Sequence, residues 1–357
     1  MALRVALRNK SALPGMSLLY CFNIPRERLI LRGISLRSPG LDHKSWLTSK
    51  RFFLLHRIWS KGHGLLSQLS SCSHGRVCAS SVFVAQQRSN STSPKMTVDF
   101  DQSTGVAVMR MKSPPVNSLS LDFLTEFCIS LEKLEMDKSC RGLIITSTLP
   151  KVFSAGLDIM ELCGTSPERC GELWKAVQEM WLKLYSSNMV TIAAVNGSSP
   201  GGGCLMALSC DYRIMADNPR YTIGLNETSL GIVAAFWFKE TMSNTVGHRT
   251  TEMALALGLL YNPNEALKTG LVDQIVPEDK LMTTAEQAMA KWLAIPDHAR
   301  QITKSMMRKQ IIDKLTAKRE ADIQNFVGFI TKDSIQKSLR VYLEMLKKRK
   351  ASKKTAP

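Results

Sequence analysis

Three segments of this chain carry residue types that can do chemistry together. Two are glycine-containing turns, at residues 153–158 (Phe-Ser-Ala-Gly-Leu-Asp) and 201–203 (Gly-Gly-Gly), and each follows a short apolar run and precedes a segment that can start a helix. The third is Glu227, which follows Ile-Gly-Leu-Asn at residues 223–226. Backbone N–H groups presented by such turns can hold an oxygen atom that gains negative charge, and a nearby carboxylate can move a proton. Together the three segments could stabilise an enolate formed from a thioester.

Each segment also has an ordinary structural explanation when it is taken alone. The glycines could form a flexible loop, and a single glutamate in a turn is usually solvated. Glu227, however, lies between Gly224 and the strongly apolar residues 233–238. A carboxylate against such a surface is partly desolvated, which raises its pKa and makes it a better proton carrier. The combination of the three segments is therefore more informative than any one of them.

The positive charge of the chain is concentrated in its first 95 residues. They hold ten Arg, five Lys, one Asp and one Glu, so they carry +13 of the formal charge of +17 and leave +4 for the remainder. An Arg- and Ser-rich segment with few acids is typical of mitochondrial transit segments, and a merely disordered basic tail is the alternative. The small remaining charge does not support a nucleic-acid footprint, and no apolar run reaches the roughly 18 residues of a membrane span. We therefore expect a protein of the mitochondrial matrix without a nucleic-acid partner.

The sequence predicts three regions of different character. Residues 1–95 are expected to form the transit segment and a disordered extension, residues 96–277 a catalytic core, and residues 278–357 a C-terminal helical part. Short apolar runs alternate with helical patterns in the core, which favours an α/β fold. An apolar stripe on the last predicted helix must pack on its own core or on a neighbouring subunit. The nine cysteines contain no Cys-x-x-Cys pair, so we expect reduced core residues and no metal site.

Further motifs accompany the three segments in a characteristic order. They are Pro-Val-Asn-Ser-Leu-Ser at residues 115–120, Asn-Gly at 196–197 and Cys-Asp-Tyr-Arg at 210–213. With them, the chain from about residue 98 to its C-terminus resembles the crotonase (enoyl-CoA hydratase/isomerase) superfamily. Within that superfamily, Gly-Leu-Asn-Glu-Thr at 224–228 and Trp237 are most similar to the mitochondrial isomerases of 3-enoyl-CoA. The resemblance implies a crotonase-like spiral of ββα units with a C-terminal helical subdomain, assembled as a homotrimer.

The resemblance also implies a reaction and the residues that perform it. The double bond of a cis- or trans-3-enoyl-CoA would move to give trans-2-enoyl-CoA, a step of fatty-acid β-oxidation. Glu227 would transfer the proton, and the N–H groups of Ala155 and Gly202 would form the oxyanion hole. Coenzyme A would arrive as part of the acyl-CoA substrate, with no metal or redox cofactor. The implied substrate-binding residues are Ala155, Gly156, Leu157, Asp158, Ile159, Gly202, Gly203 and Asn226.

One departure from the superfamily pattern favours an isomerase over a hydratase. Hydratases carry a second glutamate shortly after the glycine turn, where this chain has Leu205. Hydration needs a water molecule held between two acidic groups, whereas one carboxylate suffices to shift a double bond. A dienoyl-CoA isomerase, with Asp158 or Glu161 as its second acid, and a weak hydratase remain alternatives. An RNA-associated member of the fold, using the basic leader or the Lys-Lys-Arg-Lys run at 347–350, is the non-enzymatic alternative.

Overall fold

The computed structural model describes residues 93–354 of the protein. The expected transit segment, residues 1–95, therefore falls almost entirely outside the described residues. The strands are β1 (Met96–Asp101), β2 (Val106–Met111), β3 (Gly142–Ser147), β4 (Lys151–Val152), β5 (Val190–Val195), β6 (Gly197–Pro200), β7 (Tyr212–Ala216), β8 (Ile223–Gly224) and β9 (Gln274–Val276). The helices are α1 (Leu121–Met136), α2 (Pro167–Tyr185), α3 (Gly202–Ser209), α4 (Phe236–Val246), α5 (His248–Leu257), α6 (Pro263–Thr269), α7 (Leu281–Leu293), α8 (Asp297–Ile330) and α9 (Asp333–Lys354). Three short 3₁₀ helices lie at Ile159–Glu161, Glu227–Leu230 and Glu278–Lys280.

A six-stranded sheet forms the centre of the core, in the order β1-β2-β3-β5-β7-β9. Strands β1 and β2 form an antiparallel hairpin, and every other pair in this sheet is parallel. All six residues of β3 and all six of β5 are buried. Strands covered on both faces are apolar throughout rather than alternating, which explains why these segments appear in the sequence as short continuous apolar runs.

A second, smaller parallel sheet contains β4, β6 and β8. Each of its strands follows one long parallel strand of the main sheet and precedes a helix, which gives the repeated units β3-β4-α2, β5-β6-α3 and β7-β8-α4. This confirms the expected ββα spiral. The two glycine turns and Glu227 follow the three strands of the small sheet, so parallel pairing brings all three segments to one edge.

Helices predominate after β9, and α8 packs along α2. None of the helices in residues 93–354 is long and apolar enough to cross a membrane. The six cysteines within this range are free, and five of them are buried. Burial raises the pKa of the Cys140 thiol to about 11, which keeps this group protonated and inert.

A largely buried ion-pair cluster joins α8 to the main sheet. Asp211, just before β7, receives Lys304 Nζ at 2.8 Å on one carboxylate oxygen and Arg308 Nη2 at 2.9 Å on the other. The backbone N–H of Thr191 in β5 also donates to this carboxylate, at 2.9 Å. The Asp211 side chain is only 6% exposed. Two cations from the C-terminal part therefore depend on one anion of the core.

We expect Asp211→Asn to lower the free energy of unfolding by about 3–5 kcal/mol, because both largely buried cations, whose side chains are 10% and 14% exposed, lose their anionic partner. The matched control is Asp313→Asn, which breaks the exposed pair of Asp313 with Lys309 on α8 and should cost about 0.3–0.5 kcal/mol. Urea unfolding of the two variants measures the difference. Equal costs for the two substitutions would show that the buried cluster does not hold α8 to the core.

Candidate active site

The turn at residues 153–158 presents one unoccupied backbone donor. Ala155 N–H donates to the Val116 carbonyl at 3.0 Å, and Asp158 N–H donates to the Leu119 carbonyl at 3.3 Å. Gly156 N–H donates to Ser154 Oγ at 3.2 Å. Within residues 93–354, Leu157 N–H has no acceptor. Leu157 therefore carries the only one of these four consecutive amides that is available to a ligand.

Gly202 supplies a second amide next to that of Leu157. Helix α3 begins at Gly202, so this N–H has no acceptor inside the helix, and it has no other acceptor within residues 93–354. A Cβ atom built on Gly202 would lie 3.3 Å from Leu157 N, and one built on Gly156 would lie 3.0 Å from Gly202 N. Gly156 has a φ of +83°, a left-handed conformation that favours glycine. The two turns thus pack backbone against backbone, and their two free N–H groups lie side by side.

This geometry corrects one expected role. Ala155 was expected to supply an oxyanion donor, but its N–H is already bonded to Val116 and cannot serve. The available donor lies two residues later, at Leu157, which the sequence places among the substrate-binding residues without giving it this role. The positive φ of Gly156 turns the chain between the amide of Ala155 and the amide of Leu157. The presence of Gly156 is the one local signal of this turn in the sequence.

The carboxylate of Glu227 lies on a short 3₁₀ helix that is tied to α5. This helix, Glu227–Leu230, follows β8 after the two residues Leu225 and Asn226. Thr228 Oγ1 donates to the Leu255 carbonyl at the end of α5, at 2.7 Å. A Cβ built on Gly201 would lie 3.7 Å from Glu227 Oε1 and 3.6 Å from Asn226 Oδ1. The expected base therefore lies across Gly201 from the pair of free amides.

Burial gives Glu227 the properties of a proton carrier near neutral pH. The residue is 8% exposed, and within the described part of the chain its buried Oε2 has no hydrogen-bond partner. Desolvation raises the pKa of Glu227 from 4.5 to about 7, against a smaller lowering by a backbone hydrogen bond. A base with a pKa near the operating pH both accepts and returns a proton readily.

The other candidate acids have structural partners. The Glu161 carboxylate accepts from Leu121 N–H at 3.3 Å, at the start of α1, and from Arg169 at 3.2 Å. Asp158 Oδ1 accepts from Met160 N–H at 3.0 Å and caps the 3₁₀ helix that follows. At Leu205, in the first turn of α3, the side chain is fully buried and apolar. Among these three acids, Glu227 is consequently the one with a buried oxygen that has no hydrogen-bond partner within residues 93–354.

Some of the remaining predicted residues lie beside Glu227 and the free amides, and the others support the backbone around them. Gly156, Leu157, Gly202 and Asn226 lie together with Glu227 around Gly201. A Cβ built on Gly203 would lie 2.6 Å from the Ser154 carbonyl, so Gly203 allows α3 to pack on the first turn. Ile159 begins the 3₁₀ helix beyond Asp158 and is partly buried against the core.

The family profile described as enoyl-CoA hydratase/isomerase matches residues 101–352. The chain belongs to this family. The human protein named mitochondrial enoyl-CoA delta isomerase 1 is 63% identical over 258 residues, which cover 72% of this chain and 85% of the human protein. Its rat counterpart is 64% identical over 256 residues, which cover 72% of this chain and 89% of the rat protein.

Solved structures of the family share the fold. The crystal structure of human mitochondrial delta3-delta2-enoyl-CoA isomerase aligns with a TM-score of 0.71 at 63% identity and covers 72% of this chain and 99% of that one. An enoyl-CoA hydratase from Bacillus halodurans aligns with a TM-score of 0.63 at 21% identity and covers 69% of this chain and 99% of that one. At that identity, the second match supports the crotonase fold alone.

We expect Gly202→Ala to abolish most turnover of an enoyl-CoA substrate. The new methyl group would lie 3.3 Å from Leu157 N and 3.0 Å from Leu119 Cδ1, so it would fill the space in front of the free amides. Loss of one oxyanion donor lowers kcat by about 10²–10³. Gly328→Ala on α8 is the control, because no atom lies within 4 Å of its built Cβ. Steady-state kinetics of both variants test this, and wild-type turnover by Gly202→Ala would contradict the assignment.

Proposed function

We propose that this protein is an isomerase that converts cis- or trans-3-enoyl-CoA to trans-2-enoyl-CoA in fatty-acid β-oxidation. The observation that carries the proposal is the combination of one buried, unpartnered carboxylate with two adjacent free amides and an apolar residue at position 205. The names of the human and rat relatives, at 63% and 64% identity, support the same activity.

The reaction begins at C2 of the substrate. Glu227, in its carboxylate form, removes a C2 proton, and the electron pair of the C–H bond delocalises over the thioester carbonyl and the C3–C4 double bond. The thioester oxygen gains negative charge, which the N–H groups of Leu157 and Gly202 stabilise by hydrogen bonds. Each such donor is worth about 10²–10³ in rate, and general-base work adds about 10²–10⁴.

The reaction ends with return of the proton at C4. The Glu227 carboxylic acid gives its proton to the γ-carbon, a double bond forms between C2 and C3, and the carboxylate is restored. The step is balanced within the substrate and Glu227, so we propose that no metal or redox cofactor takes part. Coenzyme A enters as part of the substrate. The pKa of Glu227, raised by burial to about 7, suits both halves of the cycle.

The alternative activities each lack a necessary group. A hydratase needs a second acid to hold the attacking water, and Leu205 is fully buried and apolar. A dienoyl-CoA isomerase would use Asp158 or Glu161, whose carboxylates support the starts of helices instead. An RNA-associated function has less support, because residues outside the basic leader carry only +4.

We also propose where and in what form the protein works. The human, rat and mouse relatives are named as mitochondrial, and this agrees with a transit segment within residues 1–95, which lie almost wholly outside the described part. A homotrimer is the assembly that the family resemblance implies. Exposed apolar side chains, among them Met306 and Met307 on α8, provide surface that subunit contacts could cover.

Separate assays with 3-enoyl-CoA and trans-2-enoyl-CoA test the proposed function. We expect rapid isomerisation of the first compound and very slow hydration of the second, because only one acidic group is available. Leu205→Glu should raise the ratio of hydration to isomerisation, although a carboxylate in this apolar position will be partly protonated. Leu205→Gln is the control, because glutamine has nearly the shape of glutamate but no carboxyl group. This variant should not raise the ratio of hydration to isomerisation. Hydration by the native enzyme that equals isomerisation would make the protein a hydratase.

A further inference from the structure

Helix α9 contacts both of the loops that carry the catalytic groups. On one side, it meets the chain that continues from Leu157 through the 3₁₀ helix Ile159–Glu161 to Gly164. On the other side, it packs against the 3₁₀ helix Glu227–Leu230 that carries the base. Two residues of α9 make these contacts, Gln336 and Ser338, which are two positions apart on the helix.

Gln336 uses its side-chain amide to bond three backbone groups in two segments of the chain. Its Nε2 donates to the Leu162 carbonyl at 3.0 Å and to the Ile330 carbonyl at 2.8 Å. Its Oε1 accepts from Gly164 N–H at 2.8 Å. The residue is 9% exposed, and its two bonds to carbonyls are buried while the one from Gly164 N–H is partly buried, so loss of these partners leaves polar groups unsatisfied. Gln336 therefore fixes the loop after the oxyanion turn to the junction between α8 and α9.

Ser338 lies against the opposite loop. A Cβ built on Gly231 would lie 3.2 Å from both Cβ and Oγ of Ser338. Gly231 ends the 3₁₀ helix of Glu227 and has a φ of +77°. The adjacent Leu339 is fully buried, which anchors this part of α9 in the core. The backbone that carries Glu227 thus rests against α9 within one turn of Gln336.

We propose that the first turns of α9 set the separation between the base and the oxyanion donors, with Gln336 as the positioning residue. The inference rests on the proposed isomerase function, because it assigns α9 a role in that reaction. Gln336 touches neither substrate nor reacting atoms, and it acts by holding the loop that begins at Leu157. A small displacement of that loop moves Leu157 N–H away from the thioester oxygen and opens a path for water to Glu227.

The consequence is measurable in deuterium oxide. Glu227 carries a protium atom from C2 toward C4, and this atom is retained unless the carboxyl group exchanges with solvent first. When α9 holds the loops together, the proton returns quickly and water is excluded, so C4 acquires little deuterium. When the loops separate, kcat falls, exchange competes with return, and more deuterium appears at C4 in each turnover. A purely structural role of Gln336 would lower the melting temperature without changing this ratio.

Gln336→Met tests the proposal, since methionine has a similar length and makes none of the three hydrogen bonds. We expect kcat to fall by about 10- to 100-fold, as misplacement of a catalytic group does, with little change in KM. Deuterium at C4 should rise in single-turnover reactions with 3-enoyl-CoA analysed by mass spectrometry. Gln324→Met is the matched control, because Gln324 is exposed on α8 and bonds only to Glu320.

Ser338→Leu is a second variant that leaves the bonds of Gln336 in place and presses on Gly231. It should also lower kcat and raise deuterium at C4, whereas Ser334→Leu, at an exposed position of the same helix, should not. Wild-type kcat and wild-type deuterium content in folded Ser338→Leu or Gln336→Met would overturn the proposal. Failure of the proposed function looks different, because the wild-type protein itself would then not isomerise 3-enoyl-CoA.

Discussion

Burial of a carboxylate without a partner is unfavourable. The proposed active site depends on a fold that keeps Glu227 buried and unpartnered. Its Oε2 is buried and has no hydrogen-bond partner within residues 93–354. The free-energy cost of burying the charge raises the pKa of Glu227, because the neutral carboxylic acid needs less solvation than the carboxylate. A solvated glutamate would be a weak base at neutral pH. The same lack of a partner therefore leaves the carboxylate free to exchange a proton with a substrate carbon.

Rigid surroundings keep this arrangement from relaxing. The 3₁₀ helix of Glu227 is held by Thr228 against the end of α5 and by Gly231 against α9. The two free amides are fixed in the same way, because Leu157 lies between residues whose own amides are bonded and Gly202 begins a buried helix. Donors that are already in position need no reorganisation when charge develops on the substrate oxygen. In the proposed mechanism, the fold thus contributes to catalysis by preventing both groups from finding internal partners.

Local patterns in the sequence were sufficient for the architecture, and the fold brings most of the residues that they predict for the site close together. The apolar run at 190–195 predicts a strand, and β5 has those bounds. Parallel pairing of the short strands then explains why two glycine turns and Glu227, far apart in sequence, meet at one edge. The choice of amide in the first turn could not be predicted, because it depends on which carbonyls, at Val116 and Leu119, take the neighbouring N–H groups. Gln336 carried no signal either, since its partner Gly164 is 172 residues away.

The central claim is that one desolvated carboxylate performs the proton transfer, and the pH dependence of kcat/KM tests it most directly. Glu227 acts as a base only when deprotonated, so kcat/KM for 3-enoyl-CoA should rise with pH, with a midpoint at about 7, and level off above it. In Glu227→Gln, kcat/KM should fall by a factor of about 10²–10⁴, and its rise with pH around a midpoint of about 7 should disappear. A midpoint near 4.5, the ordinary value for glutamate, or wild-type activity in Glu227→Gln would contradict the account.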